Sequence, residues 1–228
     1  MARPRERPFQ LRVEAHDRVA LDEAPEAQVW VSESGGAYGS GAPNVTDRFV
    51  SSFWYLDELA QLAARSIGLH CRQSLVGGHY ALLRRSPNTD RFEPNPDYFA
   101  TRLWASLMGA RSARASLGSK TKKFVRDARV YAHCRLASRG DRDKFGDIVF
   151  LIINSASRRP LIVDPPSALR TLRREEFHVT AAASADGLPN LDGRYALLNG
   201  IPCVALLLSR FHSNTLCRRR LVAVDQAL

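Results

Sequence analysis

The sequence predicts an α/β segment followed by an all-β one. Three observations carry this. An apolar run at 29–31 and a strand-like stretch at 69–76 each give way to a glycine pair, Gly35-Gly36 and Gly77-Gly78, and a helical pattern lies between them. Strand, helix, strand is the repeat of a parallel barrel or an open sheet. From about Arg111 the long helical patterns stop and short strand-like runs follow one another, as in an antiparallel sandwich or small barrel.

Residues 1–27 are polar, hold three prolines and show no clear period. They are read as an irregular N-terminal segment. The first strand, QVWVS, runs into an acid, Glu33, and then into Gly35, Gly36, Gly39 and Gly41 with Tyr38 among them. A carboxylate at the C-terminal end of a parallel strand stands where α/β barrels keep their chemistry. Glycines there let a ligand approach the backbone. The same acid also suits a plain loop-capping role. Thr46 or Asp47 is a good N-cap for a helix running to about Ser66. Phe49, Phe53, Leu56, Ala60 and Ala63 recur on its face, read as core packing. Asn44-Val45-Thr46 is a glycosylation sequon, of use only in a secreted protein.

The second strand, 69–76, precedes Gly77-Gly78-His79-Tyr80. Asn95 as N-cap and Pro96 at the first helical position open the next helix. Phe99, Leu103 and Leu107 line its face, and Gly109 stops it. A boundary is expected near 109–112. Strands are expected at 129–135, 147–154, 160–164, 176–182 and 195–208, the last split by the hairpin signal Asn199-Gly200.

The chain has 228 residues, 45% hydrophobic, with 33 Lys and Arg against 23 Asp and Glu, a formal net charge of +10. A basic excess suits a polyanionic partner or solubility. The arginine clusters are not interleaved with aromatics, so no nucleic-acid partner is expected. No apolar run approaches the roughly 18 residues of a membrane span, and none is expected. The N-terminus lacks the apolar stretch of a secretory signal. The four cysteines show no CxxC pair or metal spacing, so neither a metal nor another cofactor is expected.

Four blocks then stand in order: VWVSESGGAYGSGAP, FVSSFWYLDELA, HCRQSLVGGHYALL and FEPNPDYFATRLWASLMG. Together they resemble the plant heparanase-like proteins of glycoside hydrolase family 79, β-glucuronidases and endo-β-glucuronidases related to animal heparanase. The resemblance covers roughly Val29 to Gly200. It implies that residues 28–110 are the last two β/α units of a (β/α)8 barrel and that 111–228 form a β-sandwich domain with an atypical tail. It implies Glu33 as the nucleophile of a retaining mechanism. It places Gly39, Ser40, Gln73, Gly78 and Tyr80 along the sugar subsite, with Gly78 N–H and the Tyr80 hydroxyl holding the uronate carboxylate. The implied partner is a glucuronic-acid-containing polysaccharide or glycoconjugate. The implied location is secreted, cell-wall or membrane-associated.

Departures accompany the resemblance. Ser32 stands where the family usually has glycine before the nucleophile, and His79 where asparagine precedes the tyrosine. Beyond about Ile201 the family's closing strand is not recognisable. Cys134 matches a family cysteine that pairs near the C-terminus in animal members; its partner here stays open. The family's acid/base glutamate lies in an Asn-Glu motif on an earlier strand, and this sequence holds no Asn-Glu dipeptide. A whole barrel takes about 250 residues. The expectation is a truncated chain, weak or inactive alone, that folds poorly without a complementing N-terminal half. The alternative is a non-catalytic remnant that binds acidic glycans.

Overall fold

Strand β1 (Trp30–Ser34) and strand β2 (Leu69–Arg72) lie side by side and parallel, with helix α1 (Val50–Ala64) as the crossover between them. The computed structural model describes residues 26–118, 128–135, 147–155, 161–172, 174–185, 187–206 and, for the backbone, 219–224. β2 is shorter than the expected strand at 69–76. After Arg72 the chain turns, because the Ser74 hydroxyl donates to Gly77 O at 2.6 Å and Gly77 and Gly78 take positive φ of 98° and 74°. One face of the pair lies on α1. On the other, the cross-strand partners Trp30 and Leu69 are 61% and 43% exposed. Parallel strands are normally covered on both faces.

The start of α1 differs from the sequence expectation. Neither Thr46 nor Asp47 caps it; Phe49 holds the cap position, without a side-chain cap. Tertiary carbonyls do the work instead. Phe49 N donates to Gly193 O at 3.0 Å and Val50 N to Leu191 O at 3.1 Å. Orphan amides of a helix start must find such partners. Asp47 pairs with Arg194 Nη2 at 2.6 Å, and the Thr46 hydroxyl donates to Ala42 O at 2.9 Å. The helix ends at Ala64, two residues short of the expected Ser66.

A hairpin that the sequence reading omitted follows β2: β3 (Leu83–Arg85) and β4 (Phe92–Pro94), antiparallel, around the turn residues 86–91. Helix α2 (Pro96–Leu107) starts as expected, with Asn95 at the cap and Pro96 first. The Asn95 side chain, however, donates to Ala81 O at 2.7 Å rather than capping the helix. β5 (Met108–Ala113) leaves α2 without a loop, so the expected boundary falls inside a strand.

Six further strands and β5 form one seven-stranded sheet. They are β6 (Ala128–Arg135), β7 (Ile148–Asn154), β8 (Arg174–Ala181), β9 (Ala196–Leu198), β10 (Ile201–Pro202) and β11 (Arg219–Val224). The order is β10-β9-β8-β11-β7-β6-β5. Two antiparallel ribbons, β5-β6-β7 and β8-β9-β10, flank β11, which runs parallel to both neighbours. The sheet is therefore mixed, not purely antiparallel. Its central strand comes from the tail, RRLVAV, where no strand was expected. The crossover between β7 and β8, with the short helix α3 (Ser167–Arg170), brings the chain back in the same direction and leaves room for β11. The expected strand at 160–164 is not formed among its described residues, and Ile162 is 90% exposed. Asn199 and Gly200 take positive φ of 51° and 80° and close the β9–β10 hairpin, as their identities predict. The short helix α4 (Cys203–Leu206) follows.

One core joins these parts. Val149, Leu151 and Ile153 alternate along β7 and pack with Val179, Ala181, Ala196 and Leu198. Phe53, Leu56 and Ala60 of α1 and Phe99, Leu103 and Leu107 of α2 belong to the same cluster. α1 serves two surfaces, the parallel pair and the core over the large sheet, so even Asp57 and Glu58 are buried, at 4% and 3% exposure. Asp57 accepts from Tyr131 Oη of β6 at 2.6 Å and from Gln61 Nε2 at 2.9 Å. Burial and the neighbouring Asp57 carboxylate push the Tyr131 phenol above its usual range, so it remains a donor. Tyr131→Phe removes one donor from a buried carboxylate, a loss of about 1–3 kcal/mol. Urea unfolding is expected to show a lower midpoint with an unchanged slope; an unchanged midpoint would show that the bond contributes nothing.

Candidate active site

β1 does not alternate. Val31 pairs with His70 and Ser34 with Arg72, so Ser32 and Glu33 together oppose the single residue Cys71. Both Ser32 and Glu33 are exposed, while Ser34 is buried. This is a bulge in a parallel pair. Bulges re-aim side chains and are over-represented next to active sites. Without it, a strict two-residue period would put Glu33 inward with Val31, and Ser34 outward with Trp30 and Ser32. With it, Glu33 faces solvent at the C-terminal end of β1.

The loops after β1 and β2 are pressed together beside that end. His79 N donates to Ser40 O at 2.7 Å. Gly78 cannot be replaced without conflict: a Cβ there would stand 2.7 Å from Ser40 O, and its φ is +74°. Gly41 is the reciprocal position, with φ +93° and a Cβ site 2.7 Å from Tyr80 N. The Tyr80 ring lies against Gly35, whose Cβ site is 3.0 Å from Cδ1 and Cε1. Gln73 N donates to Ser34 O at 2.8 Å, which puts Gln73 beside the residue after Glu33. Thus all six residues singled out in the sequence gather at one end of the parallel pair. Glu33, Gly39, Ser40 and Gly78 are exposed, Gln73 is half-buried and Tyr80 is buried at 6%. The deep placement of Tyr80 departs from an open subsite residue: most of its ring is core between the two loops.

The sequence reading missed the polar layer beneath. Arg72 points inward from β2. Its Nη2 donates to Asp97 Oδ2 at 2.7 Å and to Tyr80 O at 2.6 Å, and its guanidinium lies 4.0 Å from the Tyr55 ring centroid and 5.0 Å from that of Trp54. Asp97, at α2's first turn, is fully buried. Burial pushes its carboxyl up to about 6, against the pull of Arg72. Glu58 of α1 accepts a hydrogen bond from the Ser34 hydroxyl. Burial raises its pKa to about 7, with Ser34 and Arg72 opposing. His70 Nε2 stands 3.8 Å from Glu58 Oε2. Burial and Arg72 lower its pKa to about 4. The signal was present as His70 and Arg72 two apart on one strand face, and as two acids inside an apolar helical stripe. It was passed over because the helix face was read as core alone.

Among the described residues no group of three His, Cys, Asp or Glu could hold a metal ion, and no helix is long and apolar enough to cross a membrane. Cys134 is exposed, and Cys217 lies outside the described residues.

Residues 13–60, which include β1 and most of α1, match the family model for glycosyl hydrolase family 79, N-terminal domain. Heparanase-like protein 3 of Arabidopsis thaliana is 38% identical over 202 residues, covering 80% of this chain and 35% of that protein. Baicalin-beta-D-glucuronidase of Scutellaria baicalensis is 32% identical over 175 residues, covering 77% of this chain and 29% of its own length. Heparanase of Gallus gallus is 35% identical over 142 residues, covering 61% of this chain and 25% of its own. The chain thus spans about a third or less of these relatives. Four ordered motif blocks, a family-model match across the Glu33 strand and these relatives lead to one assignment: the chain belongs to glycosyl hydrolase family 79, among its heparanase-like proteins.

Proposed function

We propose that this chain carries the nucleophile strand and the uronate-binding loops of a retaining β-glucuronidase that acts on glucuronic-acid-containing glycans. The observation that supports this best is the bulge that turns Glu33 outward beside two clamped glycine loops, at the C-terminal end of a β-α-β unit. In this reading Glu33 attacks the anomeric carbon, the glycosidic oxygen leaves, and water later hydrolyses the glycosyl ester. Gly39, Ser40 and Gln73 line the sugar. Gly78 N–H and the Tyr80 hydroxyl hold the uronate carboxylate. The names of baicalin-beta-D-glucuronidase and of hyaluronoglucuronidase from Hirudo nipponia, 39% identical over 106 residues, support glucuronide chemistry.

In this reading the second carboxylate comes from another part of the protein, since this sequence holds no Asn-Glu dipeptide. In the proposed assembly residues 28–110 supply the last two β/α units of a (β/α)8 barrel, and 111–228 the β-domain beside it. A complementing N-terminal part supplies the acid/base and covers the open face at Trp30 and Leu69. The whole works as a secreted, wall- or membrane-associated enzyme. Without a general acid, natural glycans react about 10²–10⁴-fold more slowly. A leaving group that needs no proton removes that handicap.

Two predictions follow from this chemistry. Incubated with 2-deoxy-2-fluoro-β-glucuronyl fluoride, the chain gains one fluoroglucuronyl group by intact mass, and peptide mapping puts it on Glu33; Glu33→Gln gains none. An adduct elsewhere, or none at all, overturns the nucleophile assignment. Polyuronate binding without an adduct would select the glycan-binding alternative. Tyr80→Phe slows labelling by the glucuronyl reagent about 10- to 100-fold relative to its glucosyl analogue, the worth of one hydrogen bond to a charged group. An unchanged ratio removes Tyr80 from carboxylate recognition.

A further inference from the structure

We propose that Glu58 is a positioning residue: through the Ser34 hydroxyl it pins the β1 bulge that turns Glu33 outward. The proposal rests on the reading of Glu33 as nucleophile, and it goes beyond it by naming what holds that side chain in place.

The geometry is local and specific. Ser34 is the first residue after the bulge and the last of β1. It is held on two sides. Its carbonyl accepts from Gln73 N at 2.8 Å, which fixes it to β2. Its hydroxyl donates to Glu58 Oε1, which fixes it to α1. A parallel pair with one extra residue has an alternative register, in which the bulge slides out and the side chains at 33 and 34 exchange faces. The bond to Glu58 opposes that slide, because only in the bulged register does Ser34 point inward. Glu58 is a strong acceptor for this purpose, since hydrogen bonds to an ionised carboxylate are about twice as strong as neutral ones.

The groups facing Glu58 determine when it is ionised. On its own helix Asp57 disfavours the carboxylate; on β2 Arg72 favours it. His70, also on β2, stands 3.8 Å from Oε2. Asp97 of α2 and Tyr131 of β6 lie one step further, bonded to Arg72 and Asp57 respectively. Tyr55 stacks under Arg72. His70 stays neutral down to about pH 4, whereas Glu58 changes charge near pH 7. Glu58 near 7 and Asp97 near 6 both change charge near neutrality, and of the two only Glu58 bonds to Ser34, so a limb caused by Asp97 would persist in Glu58→Gln. The Ser34 bond is firm above the Glu58 midpoint and slack below it.

The test follows labelling of Glu33 by the fluoroglucuronyl fluoride from pH 5 to 9, together with the backbone amide shifts of Glu33 and Ser34 over the same range. In the wild type, the maximal labelling rate is expected to fall several-fold as pH drops through about 7, with the reagent's half-saturating concentration unchanged. In Glu58→Gln that limb disappears and the rate stays near the wild type's low-pH level. Ser34→Ala gives the same loss, and the double variant loses nothing more, as two ends of one interaction require. The Glu33 and Ser34 amides shift through the same midpoint in the wild type and not in Glu58→Gln. A Glu58→Gln labelling profile that keeps the wild-type limb, or amides that never respond to Glu58, overturns the proposal. If the wild type does not label at all but the amides follow Glu58, the nucleophile reading fails while the Glu58–Ser34 coupling stands.

Discussion

The buried guanidinium of Arg72 is the point on which the rest of this site depends. It is held among Asp97, the Tyr80 carbonyl and the rings of Tyr55 and Trp54. These four contacts come from α2, from the loop after β2 and from α1. A single side chain on a short strand thereby ties both helices and the second glycine loop together. A buried charge is tolerated only when paired and hydrogen-bonded. Removing one partner of such a pair typically costs about 3–5 kcal/mol, because the other is left uncompensated. Asp97 is fully buried, so it has no water to fall back on.

From that anchor the loop geometry follows. Tyr80 is drawn down by its carbonyl onto Arg72, and its ring fills the space under Gly35. This leaves Gly78 and Gly41 with no room for a side chain against Ser40 O and Tyr80 N. The two loops become one surface, with Ser40 O bonded to His79 N. Ser32 and His79, the departures from the family pattern, lie on the exposed side of this surface. Neither carries the packing: His79 contributes its backbone amide, which any residue but proline supplies, and Ser32 occupies the outward half of the bulge.

Much of this was legible in the sequence, and the failures share a cause. The two parallel strands, both helices, the Asn199-Gly200 hairpin and the strands at β6, β7 and β8 were marked by local signals: period, glycine and cap chemistry. Glu33, Gly39, Ser40, Gln73, Gly78 and Tyr80 lie together at one end of the parallel pair. What escaped is what depends on distant partners. The α1 start is capped by carbonyls of 191 and 193, so Thr46 and Asp47 were free for other bonds. The end of β2 is set by the turn at 74–78. β11 reads as a basic tail, and only its place between β7 and β8 makes Leu221 to Val224 a central strand. The bulge at Glu33 leaves no mark in sequence, because WVSES fits both registers.

Glu58 and His70 add a constraint that neither shows alone. Folding raises the Glu58 pKa from 4.5 to about 7, so between those values the folded chain holds a proton that the unfolded chain releases. That contribution to stability is complete below about pH 4.5 and declines as pH rises to 7. Folding lowers the His70 pKa from 6.5 to about 4, so its contribution runs the other way, present above about 6.5 and lost toward 4. The two windows overlap between about 4.5 and 6.5, where their slopes oppose each other. An acid and a base 3.8 Å apart, both pushed toward their neutral forms by the same burial, therefore flatten the pH dependence that either would impose. The helix that carries Glu58 thus sits behind β1 and holds a titratable group near neutrality, with His70 offsetting only part of the pH dependence, because Asp97, raised from 3.8 to about 6, adds a slope of the same sign as Glu58.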